Sequence, residues 1–332
     1  MTIAQIGTIL VRLVNDHEIF PPECGFKKYF DYIHDNNQAV KYVRHLSNLF
    51  QLCKVPVTGK RILDAGCGYG LTSLVTRLLG AKEVYGVDLK TDRIMKFGSY
   101  LRQLWFNIDG ITPVFGDVGR LCFKSESFDA ILVNEAISHY GDTEKFLVEA
   151  RRLLKIGGII YISDANNACN PLIQWKNRII WEKFEKGPQG ISVYGHQIEK
   201  PMEYQRYEII KRNFPYLSDQ QLENLARTTS GLWGKGLLSA VEKYIKTGHY
   251  PDRKYVRGMC PRNPARGSFV EMVLHPKVLK RKMEIMGFKT RIYSHFCGAR
   301  NETLHALNQV LAAMTPITIY GARGFRMVAS KI

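Results

Sequence analysis

The chain has 332 residues, enough for one large domain or for one domain carrying a sizeable insertion. Hydrophobic residues at 45% and charged residues at 23% exclude a disordered chain. The seven scattered cysteines form no C-x-x-C pair, which excludes a zinc knuckle, a thioredoxin-type motif and a disulfide-stapled miniprotein. The 47 Lys and Arg against 30 Asp and Glu leave a formal charge of +17, a field that attracts nucleic acid, an acidic membrane surface, or phosphorylated or carboxylated substrates.

Residues 1–58 read as a mainly helical segment. Asn36 to Cys53 places Val40, Val43, Leu46, Leu49 and Phe50 on one helix face, and Pro56 and Gly59 punctuate its end. Met1–Val14 lacks the basic leader and small-residue cleavage site of a signal peptide, and no apolar run reaches the roughly eighteen residues of a membrane span. With Cys24, Cys53, Cys67, Cys122, Cys169, Cys260 and Cys297 read as free thiols, the expected compartment is cytoplasmic, with peripheral membrane contact left open by the charge.

Strands and helices then alternate. Strands are predicted at Arg61–Ala65, Glu83–Asp88, Ile111–Phe115, Phe128–Asn134 and Gly157–Ser163. Helices are predicted near Leu71–Leu79, Thr91–Trp105 and Thr143–Leu154, the last capped by Thr143. This order implies an α/β fold with a parallel sheet covered on both faces. About a hundred residues follow that read as helices only, at Pro171–Lys186, Met202–Asn213, Asp219–Thr228 and Leu232–Thr247, and then a basic loop. The alternation resumes with a helix at Pro276–Met286, a strand at Phe288–Ser294, a helix near Glu302–Ala313 and a strand near Gly324–Ser330. The expected organisation is an N-terminal segment over 1–58, a core over 59–165 and 275–332, and an inserted, mainly helical cap over 166–274.

Asp64-Ala65-Gly66-Cys67-Gly68-Tyr69-Gly70 lies between the first strand and the first helix of the core. Glycines there let the backbone turn tightly and approach a ligand. The third glycine comes one residue too early for a dinucleotide fingerprint, since position 71 is Leu, and no Gly-Lys-Ser/Thr follows to make a P-loop. A carboxylate at Asp64 repels a pyrophosphate and suits a cationic ligand, such as the amino group of a methionyl moiety. Asp88 ends the second strand, where it can accept from ribose hydroxyls, with Leu89 beside it. Asp117, after the third strand, can accept from an adenine amino group while Val118 packs on the ring.

These segments, with Phe128–Tyr140 and Leu154–Ser163, resemble the successive motifs of the class I S-adenosylmethionine-dependent methyltransferases, in particular the members acting on small molecules, lipids and sugars. The resemblance covers about 61–164 and the terminal strands. It implies a Rossmann-like, seven-stranded, mostly parallel sheet whose last strand is antiparallel. It also implies that Asp64, Ala65, Gly66, Cys67, Gly68, Gly70, Asp88, Leu89, Asp117, Val118 and Asn134 line the S-adenosyl-L-methionine site. The N-terminal segment and the insertion match no family pattern.

Methyl transfer needs an aligned acceptor and, for a hydroxyl, a base. The candidates stand after the fourth and fifth strands: His139 as base, with Glu135 and Asp164 as alternatives, and Asn166 and Asn167 on the acceptor side. Asn134-Glu135-Ala136-Ile137 replaces the Asn-Pro-Pro-aromatic motif of amino-group DNA methyltransferases, so nucleic acid is the less favoured partner. No metal-ligand cluster is evident. In the loop His249–Arg266, Arg253, Arg257, Arg262 and Arg266 are candidates for holding a phosphate or carboxylate. Residues 176–290 hold 22 Lys and Arg against 11 Asp and Glu, so the charge gathers where the acceptor should bind. The expected activity is O-methylation of a glycan, glycolipid or similar anionic small molecule. The alternatives are an RNA- or protein-directed methyltransferase and a non-catalytic cofactor-binding sensor or partner subunit. The oligomeric state is left open.

Overall fold

The structure, a computed structural model, describes residues 1–16, 18, 19, 33–52, 57–194, 196–296 and 302–332; Cys24, Cys53, Cys297 and Pro56 lie outside them. The five parallel strands are β1 (Arg61–Ala65), β2 (Glu83–Asp88), β3 (Ile111–Phe115), β4 (Phe128–Asn134) and β5 (Leu154–Ala165), with buried aliphatic runs in the central β1, β4 and β5. Two short strands, β6 (Ile191–Val193) and β7 (His196–Ile198), pair separately from the main sheet. The main sheet is completed by β8 (Phe288–His295) and β9 (Gly324–Lys331), in the order β3-β2-β1-β4-β5-β9-β8. The last strand, β9, runs antiparallel to both β5 and β8. The C-terminal ends of β1, β2, β4 and β5 therefore open on one edge, where ligands bind in such sheets.

The helices divide between the two faces. On one face lie α1 (Ile3–Val14), α2 (Asn36–Leu52), α3 (Leu71–Leu78) and α4 (Thr91–Gln103). Ile6, Leu10, Val43 and Leu46 join Leu74, Val75, Val84 and Phe97 in one buried cluster. On the other face, α5 (Thr143–Leu153) packs Phe146, Leu147 and Ala150 against Phe128, Ile131, Ile160 and Phe325. Each such side chain fully removed from water contributes roughly 1.5–3 kcal/mol. The cap of α5 is Asp142, whose side chain accepts from the Lys145 amide, and not Thr143 as the sequence suggested.

Beyond β5 come α6 (Pro171–Lys186), α7 (Met202–Asn213), α8 (Asp219–Thr228), α9 (Gly234–Thr247) and α10 (Pro276–Ile285); α11 (Glu302–Ala313) and the short α12 (Thr315–Thr318) stand between β8 and β9. The Ser218–Gln221 capping box and the left-handed Gly248 end-cap bound α8 and α9 where the residues called for them. The hairpin β6–β7 was not expected, because three-residue strands have too few positions to show a period of two. Ile210, Leu222, Leu225, Leu237 and Val241 give α7, α8 and α9 a core of their own. Inside it the Arg206 guanidinium donates to the Glu185 carboxylate at 2.6 Å and to the Ala226 carbonyl at 2.7 Å, while the Ser230 hydroxyl donates to Glu185 at 2.8 Å. Both charged side chains are only 1% exposed. Removing one partner strands a buried charge, so Arg206→Ala is expected to cost about 3–5 kcal/mol in urea unfolding. A loss below ~1 kcal/mol would show the pair to be dispensable.

Candidate functional site

The glycine loop is fixed from three sides. The Gly66 and Cys67 amides both donate to the Val87 carbonyl, at 2.8 and 2.9 Å, and the Gly68 amide donates to Asp88 Oδ2 at 3.0 Å. The Tyr140 hydroxyl donates to the Ala65 carbonyl at 2.8 Å. Gly66 and Gly70 sit in the left-handed region at φ of 79° and 82°. A Cβ at Gly66 would lie 2.6 Å from the Ala136 Cβ, and one at Gly70 would lie 2.3 Å from the Phe97 ring, so both positions require glycine twice over. Cys67 is buried and burial pushes its thiol well up, which makes it a packing residue.

Asp64 departs from the sequence expectation. Its side chain turns into the protein, is 2% exposed, and accepts from the Ser73 hydroxyl at 2.6 Å. Burial pushes its pKa up to about 7, opposed by the Ser73 hydrogen bond and reinforced by Asp88. Asp64 thus ties α3 beneath the loop and is no open counter-charge for an amino group.

Asp88 is well placed as an acceptor. Oδ1 accepts from the Lys90 amide at 2.8 Å, and Arg93 stands 3.8 Å from Oδ2. Each carboxylate oxygen has two lone pairs, so both keep one for a ligand hydroxyl. Leu89 is exposed and Val118 is half-buried, apolar surface of the kind a purine ring would cover. Asp117 accepts from the Gly119 amide at 2.9 Å, lies 3.6 Å from Lys145 and stays exposed. Asn134 ends β4 opposite Ser163. This acceptor set and its flanking apolar surface fit S-adenosylmethionine.

On the acceptor side the chain leaves β4 through Glu135, a non-glycine residue at φ 51°, and enters a short turn, Ile137–His139. The Glu135 pKa is raised by the protein crowded around it and by Asp164, with His139 opposing. The His139 Nδ1 lies 3.4 Å from the Phe269 carbonyl. The Met272 amide donates to the Ser138 carbonyl at 2.7 Å, and the returning chain is clamped by Asn167, which donates to the Met272 carbonyl at 2.8 Å and accepts from the Leu274 amide at 3.0 Å. Glu271 is thereby brought to the same place. Burial raises its pKa; His139 and the amides of Asn177 and Asn167 lower it, and Glu135 raises it. His196, on β7, has its pKa lowered by burial, then by Lys176 and His139, so the hairpin borders this cleft as well. Tyr140, Glu271 and His196 were missed in the sequence. A glutamate and a histidine in unpatterned loops carry no local signal, since only folding brings them to β4.

Four predicted residues are otherwise occupied. Asp164 is buried, accepting from the Ser138 amide at 3.1 Å and from the Ala165 amide at 2.7 Å, so it holds the turn that carries His139 and cannot serve as an open base. Asn166 is fully buried and donates to the Ile319 and Ala322 carbonyls, and Asn167 is spent on the clamp, so neither is free to meet an acceptor. Arg262 donates to the Gly267 and Gly141 carbonyls and stacks on Trp233 and Phe269 at 5.0 and 4.8 Å, a structural post more than a free cation. Arg257 lies 3.5 Å from Glu182 and is exposed. Arg253 and Arg262 line a cleft of about 670 Å³ with Lys235 and the glycines of the turn into α9. Arg266 comes near enough to Lys90 to help lower its pKa, after burial and Arg93, so the basic loop also borders the cofactor side.

Residues 63–162 match the family model described as a methyltransferase domain. The phthiotriol/phenolphthiotriol dimycocerosates methyltransferase 1 of Mycobacterium ulcerans is 35% identical over 37% of this chain and 43% of its own length. A fatty-acid O-methyltransferase of Mycolicibacterium smegmatis is 36% identical over 33% of this chain and 38% of its own. A ubiquinone biosynthesis O-methyltransferase of Cereibacter sphaeroides is 34% identical over 49% of this chain and 63% of its own. The chain thus spans less than half the length of the first of these curated relatives. The loop beneath the cofactor has a pH signature. Asp64 titrates near 3.8 when unfolded and about 7 when folded, so its contribution is fully present below about pH 4 and is lost as pH rises to about 7. Asp64→Asn is expected to remove about 2–3 kcal/mol of that decline, read as urea midpoints at about pH 5 and about pH 7.5. An unchanged slope would place the proton elsewhere. The matched residues run from within β1 to within β5 of the sheet, and over them the chain is similar to a methyltransferase domain.

Proposed function

We propose that the protein transfers a methyl group from S-adenosylmethionine to a hydroxyl of a small molecule or lipid, and that this acceptor is anionic. When bound, the cofactor supplies an electrophilic methyl on a sulfonium. Asp88 and Asp117 would hold its ribose and adenine, and the glycine loop would take its methionyl part. The observation that carries the reading is the placement of His139 between the cofactor edge of β4 and the returning segment 269–272. A carbonyl can only accept, so the His139 contact with Phe269 puts the proton on Nδ1 and leaves Nε2 as the basic nitrogen. That nitrogen takes the acceptor's hydroxyl proton, and the carboxyls of Glu135 and Glu271 nearby stabilise the imidazolium. The fatty-acid and ubiquinone-biosynthesis O-methyltransferases among the relatives support this acceptor class by their names.

The anionic character rests on Lys235 and Arg253 in the cleft beside Trp233, and on the exposed Arg257 of the same basic loop. Single-turnover labelling with methyl-labelled cofactor over a lipid and metabolite extract should mark an acceptor in an Asp88-dependent way. A label that appears equally with Asp88→Ala would refute the reading. His139→Ala is expected to lower kcat about a hundredfold with S-adenosylhomocysteine affinity unchanged. An undiminished kcat would remove His139 as base. Arg253→Ala with Arg257→Ala should raise the acceptor KM about tenfold and leave kcat in place. A fall in kcat alone would mean that these cations do not bind the acceptor.

A further inference from the structure

We propose that the rim formed by α11, α12 and the first turn of α6 docks the protein on an anionic lipid bilayer. Leu307, Val310, Met314, Ile317 and Tyr320 recur three and four residues apart and are 49–72% exposed, an apolar stripe turned to solvent. Thr315 and Thr318 of the same segment face the protein instead. The Ser294 amide donates to Thr315 Oγ1 at 2.7 Å, and the Thr318 and Ser294 hydroxyls lie 2.7 Å apart. The arrangement is inverted relative to an ordinary surface helix. Leu172 and Trp175 on α6 are 78% and 60% exposed, and Asn170 joins this turn to the stripe by donating to the Gly321 and Ala322 carbonyls at 3.2 and 3.1 Å.

The rim stands at the acceptor edge of the sheet. Gly324 pairs with Ala165 at the C-terminal end of β5, and the Asn166 amide donates to the Arg323 carbonyl at 2.9 Å. The charge around it decides the occupant. Residues 165–181, 272–283 and 303–332 contain no Asp or Glu and carry, among others, Lys176, Lys277, Arg281 and Arg323. Lys277 touches the rim directly, donating to the Tyr320 hydroxyl at 3.2 Å. A second copy of the chain would bring the same cations face to face, whereas an anionic bilayer neutralises them and accepts Trp and Tyr at its headgroup level. Among the described residues no helix is long and apolar enough to cross a membrane, so the contact is interfacial. This surface does not depend on the identity of the acceptor or on His139.

The test is co-sedimentation of the full chain with vesicles of phosphatidylcholine alone or of equimolar phosphatidylcholine and phosphatidylglycerol, at low salt. The wild-type protein should partition onto the mixed vesicles and release as salt rises. Leu172→Glu with Ile317→Glu should weaken partitioning at least about tenfold, with the unfolding midpoint and S-adenosylhomocysteine affinity unchanged, because both side chains are exposed. Lys277→Glu should weaken binding to the mixed vesicles only. Equal partitioning of wild type and double variant, or no partitioning of the wild type, would overturn the proposal. So would a wild-type dimer that the double variant dissociates, since the rim would then be covered by a second copy.

Discussion

The close approach of the glycine loop to the end of β4 is the constraint on which the rest depends. At Gly66 there is no room for a side chain, because Ala136 occupies the space a Cβ would take. Ala136 is held there by the positive φ of Glu135, and the Tyr140 hydroxyl closes the contact from the far side on the Ala65 carbonyl. One contact therefore sets two distances at once: the depth of the cofactor loop and the height at which Glu135 and His139 emerge. Strain at Glu135 is held by the β4–β5 ladder, where the Glu135 amide donates to the Ser163 carbonyl at 2.7 Å.

Buried polar groups carry much of the positioning. Asp64, Asp164, Asn166 and Asn167 are all nearly or wholly buried, and each is spent on a neighbouring element: Ser73, Ser138, the 319–322 turn and the 272–274 segment. In a low-dielectric interior such bonds are strong when made and costly when broken. Asn167 joins the chain that leaves β5 to the chain that returns before β8, Asn166 joins it to the turn before β9, and Asp164 joins β5 to the turn after β4.

The parts of this site that could be read directly from the residues are those whose signals are local. Gly66, Gly68, Gly70, Asp88 and Asp117 follow strand ends at short spacings, and backbone geometry there demands glycine or an acceptor. Asp64 was legible as a carboxylate at the mouth of the loop but not in its direction, since a strand residue's face is decided by what packs on the sheet. Glu271 and His196 were illegible, because each lies on an irregular or three-residue element, about 130 and about 60 residues from His139 respectively. The four arginines looked equivalent in the sequence. Packing separates them, for Arg262 is stacked between aromatics while Arg253 opens on a cleft.

The sequence by itself determined the α/β alternation, the cofactor loop, the acidic strand ends and the concentration of positive charge beyond residue 175. Each of these is written in neighbouring residues or in a sum over them. The tertiary structure alone decided that Asp164 and Asn166 turn inward, that Glu271 stands beside His139, and that the uncharged stretch 303–322 shows its apolar side to solvent at the acceptor edge. Those outcomes depend on which surfaces meet across the sheet, and a meeting between residues more than a hundred positions apart leaves no trace in the spacing of either one.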